Sequence, residues 1–120
     1  MSRFLDARVP VRFAVPAQPG ADTAWLVQDD APAPAGSPVA RFRLPPAEAG
    51  HPVDCRCCVP RGPVAEALSR LFLARARGEV AFFRAVIALP RDAAGAETIK
   101  AALAADPVLM ARFRLEPDAG

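Results

Sequence analysis

Apolar and polar positions alternate over short stretches in the first third of the chain, then switch to helical spacing. Residues 8–16, Arg-Val-Pro-Val-Arg-Phe-Ala-Val-Pro, follow a period of two and predict a strand with Pro10 near its start. Ala17-Gln18-Pro19-Gly20 is a turn signal. Ala24 to Gln28, Ala-Trp-Leu-Val-Gln, predicts a second short strand. The link between the two is too short for a crossover helix, which predicts a hairpin-like antiparallel pair. Residues 30–38 carry prolines that remove backbone donors, and they read as a loop. Residues 39–44 predict a third strand, ended by Pro45-Pro46 and followed by a loop from Ala47 to Pro60.

The period then changes. Val64, Leu68, Leu71 and Phe72 form a helical stripe, with Pro63 suited to the first helical position and Gly78 to the residue after the C-cap. Arg70, Arg75 and Arg77 fall towards the end of that helix, where its dipole favours cations. Residues 80–89 include a largely apolar strand, placed at 84–89, which reads as the most buried of the sheet and stops at Pro90. A second helix is expected over 96–105, with Ile99 and Leu103 inward. Asp106-Pro107 then reads as an N-cap and first position of a short helix through Met110 and Phe113. The order strand, strand, strand, helix, strand, helix, helix predicts a single α/β domain over 1–120. It would be a small, three-layer-like unit with a mixed four-stranded sheet and two or three helices.

Composition narrows the function classes. The chain has 120 residues, 52% of them hydrophobic, so it is not composed like a disordered segment. Aromatic residues are only 7% and Tyr is absent, so the many alanines predict a thin core. Net charge is +2, and all but one of the 15 basic residues are Arg, spread along the chain; that balance predicts no nucleic-acid partner. No run is long enough to span a membrane, and Met1 to Asp6 lacks the apolar core of a secretory signal. With three cysteines and no signal, the expectation is a cytoplasmic protein without a disulfide framework.

Those three cysteines crowd into Asp54-Cys55-Arg56-Cys57-Cys58. Soft thiolates at this density suit zinc or Cu(I). In extended chain Cys55 and Cys57 share a face and Cys58 points away, so all three converge only if the chain turns at Cys57-Cys58. A fourth ligand would be His51, Asp54 or water, and an open position would suit a transfer site. Against this stands a plainer reading: cysteines as small buried hydrophobes and His51 as loop polarity. Asp29-Asp30, at a strand end, reads either as a pair of Mg²⁺ ligands or as a solvated turn. Trp25 is expected to pack on a sheet face. No Ser/His/acid set surrounds the single His and no carboxylate pair stands out, so no catalytic residues are visible.

From about residue 42 to 115 the chain resembles the nucleotide-binding domain of the CobW family of metallochaperone GTPases. The resemblance rests on Cys55-Arg56-Cys57-Cys58 followed by Arg61-Gly62, on Arg77-Gly78-Glu79 after the first helix, and on Asp106-Pro107-Val108-Leu109 leading to Arg112-Phe113-Arg114-Leu115. It implies a P-loop-type fold and a metal-binding role for Cys55, Cys57 and Cys58. The departures are as specific. Where the family has a Gly-x-x-Gly-x-Gly-Lys-Thr phosphate loop, this chain reads Pro16-Ala17-Gln18-Pro19-Gly20-Ala21-Asp22-Thr23, with one glycine and no Lys. Where the family has an acidic residue after a later strand, this chain has Ala88-Leu89-Pro90-Arg91. The expectation is a degenerate P-loop domain that holds no nucleotide. It would be either a non-GTPase zinc-binding relative or a catalytically inactive structural or interaction module, such as a homodimer or a protein partner's subunit.

Overall fold

A strand of alternately facing apolar residues, Ala85–Leu89, lies at the centre of the domain and organises it. The computed structural model describes residues 7–13, 22–33, 36–44 and 62–116. In chain order the elements are β1 (Val9–Arg12), β2 (Thr23–Gln28), β3 (Val39–Phe42), α1 (Pro63–Ala76), β4 (Ala85–Leu89), α2 (Ala93–Ala105), α3 (Pro107–Arg112) and β5 (Phe113–Leu115). The strands form one sheet in the order β3-β2-β4-β1-β5, and every neighbouring pair is parallel.

The α/β class follows the sequence pattern; the sheet departs from it. It has five strands, all parallel, where a mixed four-stranded sheet was expected. β1 and β2 are not a hairpin, because β4 lies between them and pairs with both. Hairpin reasoning from the short link assumed that consecutive strands are neighbours. At about 3.3–3.6 Å per residue, a link of this length is long enough to return along strands this short. The fifth strand, Phe113-Arg114-Leu115, was not expected, the short helix being expected to run through Phe113; its three residues are too few to show a period of two. They pair with Val9, Pro10 and Val11. β2, not β4, is the strand in which every residue is buried.

Pro10 stands in a strand with neighbours on both sides, where a missing N–H is costly. The register removes the conflict. β1 pairs with β5 from Val9 onward, but with β4 only from Val11, so Pro10 has one ladder neighbour, Arg114.

The described helices make one layer rather than two. Val64, Leu68 and Leu71 of α1, Ile99 and Leu103 of α2, and Leu109 of α3 share a cluster with Val9, Val11, Ala24, Leu26, Val86, Ala88 and Phe113 of the sheet. Phe72 meets Phe113 edge-on, with ring centroids 5.8 Å apart. The opposite face carries a smaller cluster of Trp25, Val27 and Ile87, packed by Ala31, Ala33, Val39 and Leu89. Trp25 does pack on a sheet face, but its buried indole N–H has no hydrogen-bond partner among the described residues.

Helix ends follow local chemistry. Pro63 opens α1 after Gly62, and Gly78 follows the Arg77 C-cap at φ +73°, a conformation that costs glycine little. α2 starts at Ala93 rather than Ala96, because Asp92 accepts a hydrogen bond from the Gly95 N–H at 2.8 Å and caps it there. Asp106 caps α3 through the N–H groups of Val108 and Leu109. Among the described residues no helix is long and apolar enough to cross a membrane.

Candidate functional site

Cys55, Cys57, Cys58 and His51, the metal ligands expected from sequence, lie outside the described residues, as does Asp54. Their flanks are placed. The chain leaves β3 through Arg43 and Leu44 at the strand's carboxyl end, and resumes at Gly62, the N-cap of α1. α1 in turn ends at the amino edge, where Arg75 donates to the Phe83 carbonyl just before β4 at 2.8 Å. Gly62, Val64 and Ala65 line one wall of a cleft of about 520 Å³, whose other wall is Thr98, Ala101, Ala102, Ala105, Asp106 and Pro107.

The carboxyl edge of a parallel sheet is where open α/β folds bind ligands. Here the described part of that edge is a closed polar lock between β2 and β4. Gln28, the last residue of β2, is buried to 3% exposure. Its Oε1 accepts the Arg91 N–H at 2.6 Å, and its Nε2 lies 3.5 Å from Asp92 Oδ1. Gly95 makes room for it: a Cβ there would stand 1.9 Å from Gln28 Oε1.

Asp29 continues the lock. It adopts φ +58°, a left-handed conformation that Asp tolerates better than most residues. Its N–H donates to the Phe42 carbonyl at 2.9 Å, and its carbonyl accepts from Arg41 Nη1 at 2.8 Å. The same guanidinium nitrogen also reaches the Ala31 carbonyl at 2.9 Å. The Asp29 carboxylate pairs with Arg91 at 2.9 Å and faces Arg43 at 3.9 Å. Asp30, in contrast, is a solvated turn residue with its side chain 93% exposed. Arg43 also lies 3.9 Å from the Asp30 carboxylate, so the two aspartates share one exposed guanidinium, while Arg91 engages Asp29 alone. Among the described residues no group of three or more His, Cys, Asp or Glu is arranged to hold a metal.

Two further positions singled out from sequence are placed. Thr23, expected at the place of a phosphate-loop Thr, is the first residue of β2, buried and paired with Ala85. A phosphate loop needs that residue at a helix N-terminus, with successive N–H groups turned to the ligand. Arg91 donates its backbone N–H to Gln28 and its guanidinium to Asp29. Gln28 and Gly95 were not singled out from sequence. The one available signal was an amide ending an apolar strand, which without a partner in view reads as ordinary strand-end polarity.

No protein-family model, curated protein or solved structure matches this chain.

Proposed function

We propose that this protein is a CobW-like domain without GTPase activity that binds a thiophilic metal, zinc, through Cys55, Cys57 and Cys58, with His51 as the fourth ligand. One observation carries the reading. The segment bearing all four residues departs from the carboxyl end of β3, the edge at which parallel α/β sheets hold ligands. The absence of nucleotide chemistry is supported by Thr23 starting a strand and by Arg91 occupying the expected acidic position. Thiolate density supplies the affinity, and the metal is taken up with release of thiol protons.

The test is a zinc titration of the reduced protein against a chromophoric chelator. The expected result is one zinc per chain, with affinity falling more than about tenfold in Cys57→Ser and in Cys58→Ser, and less in His51→Ala. Wild-type binding no tighter than that of either cysteine variant would overturn the metal reading. Tight Mg²⁺-GTP binding would overturn the non-GTPase part of it.

A further inference from the structure

The amino edge of the sheet carries a second feature. A pocket of about 380 Å³ opens between the starts of β1, β4 and β5 and the end of α1. Four arginines line it, Arg8, Arg75, Arg84 and Arg114, together with Phe82 and Pro10; no carboxylate lines it among the described residues.

The arginines come from separate parts of the chain and are held by different means. Arg75 donates to the Phe83 carbonyl, and its guanidinium stacks on Phe72, Phe82 and Phe83 at 4.6–5.0 Å from the ring centroids. Burial pushes its pKa below the ordinary value. Arg84 also stacks on Phe82, 5.6 Å from the ring centroid, and pairs with Asp22 at 3.4 Å, with both side chains more than half exposed. Arg114 is half-buried and meets Glu116 at 3.2 Å, a carboxylate it shares with Arg12. Arg8 reaches the Met110 carbonyl at 3.4 Å. Phe82, 57% exposed, is thus a platform that pre-positions two guanidinium groups. Among the described residues the carboxylates that meet these cations are Asp22, on an exposed and screened pair, and Glu116, divided between two arginines.

We propose that this pocket binds a small oxyanion ligand of the phosphate class carrying at least two phosphoryl groups. Planar guanidinium forks match phosphate oxygens two at a time, and several of them around one concavity select for multiple charge. The volume falls in the range of small-molecule sites and exceeds what a single phosphate would fill. A cation set gathered round one compact pocket, in a chain of net charge +2, favours a small ligand over a polynucleotide, which needs a track of cations.

Calorimetric titration with inorganic pyrophosphate at low salt tests this, with orthophosphate as the single-group arm. The expected result is one pyrophosphate per chain, bound at least about tenfold more tightly than orthophosphate and weakened by added salt. Arg84→Ala should reduce affinity about tenfold, since charge-assisted bonds are the strong ones. Lys100→Gln, on the exposed side of α2, should not change it. A second measurement needs no variant: pyrophosphate should shift the NMR amide signals of Arg8, Arg84 and Arg114 and leave those of Asp92 and Gly95 in place. No heat at low salt, equal losses in Arg84→Ala and Lys100→Gln, or shifts spread over the whole surface would each overturn the proposal.

Discussion

The backbone N–H of Arg91 donates to the buried side chain of Gln28 across 2.6 Å, joining the carboxyl ends of β2 and β4. The same carboxamide fills the space that a side chain at position 95 would need. Gln28 at the end of β2 and Arg91 and Gly95 at the β4–α2 junction therefore depend on one another.

Gly95→Ala should destabilise the protein by about 1–3 kcal/mol, because overpacking a buried contact outweighs the gain from replacing a helical glycine. In a Gln28→Ala background the clash is gone, and the same change should stabilise by up to about 1 kcal/mol. Urea unfolding followed by the fluorescence of Trp25, the only Trp, measures both. A destabilisation of equal size in the two backgrounds would show that the contact is unimportant.

Gln28→Leu keeps the apolar bulk but removes the acceptor for the Arg91 N–H and the contact with Asp92. The expected cost is about 1–3 kcal/mol. Amide exchange at Arg91 should accelerate more than exchange in the middle of β4; uniform acceleration would mean that Gln28 does not act locally.

Phe113→Ala should cost about 3–5 kcal/mol, since the ring is 1% exposed and packs on Phe72 in the main core. The side chain anchors β5 against β1, so amide protection of Leu115 should fall with it. Retained stability would argue that these residues contribute no strand.

Glu116 sets a dependence on acid. The hydrogen bond from Arg12, opposed by desolvation and aided by Arg114, holds its carboxyl below the ordinary value of 4.5. A depressed carboxylate stabilises the fold fully above its unfolded pKa, and the contribution is lost as pH falls through the folded one. Glu116→Gln should therefore lower stability by less than about 1 kcal/mol at neutral pH, because the cluster is partly exposed. The difference from wild type should vanish at acid pH. A difference that persists unchanged at pH 2 would assign the effect to packing instead.

Much of the architecture was legible in local sequence because its causes are local. Pro63 at a helix start, Gly78 after a helix end and Asp106 ahead of Pro107 act within a few residues of themselves, and each is found in its expected role. The stripe of Val64, Leu68 and Leu71 needs only helical periodicity to identify its buried face. The candidate metal residues were legible for the same reason, as thiols adjacent in sequence. Gln28 was not: its role depends on Arg91 and Gly95, more than sixty positions away.

By itself, then, the sequence determined the class of the domain, the helices and the caps of α1 and α3, four of the five strands and the cysteine motif. Only the tertiary structure decided that all strands run parallel, that β4 separates β1 from β2, and that Phe113-Arg114-Leu115 is a strand. It also decided that Arg8, Arg75, Arg84 and Arg114 surround one pocket. The physical reason is common to these cases. Strand order and side-chain convergence come from burying distant apolar faces together, and no periodicity within a single segment records which distant segment will be its neighbour.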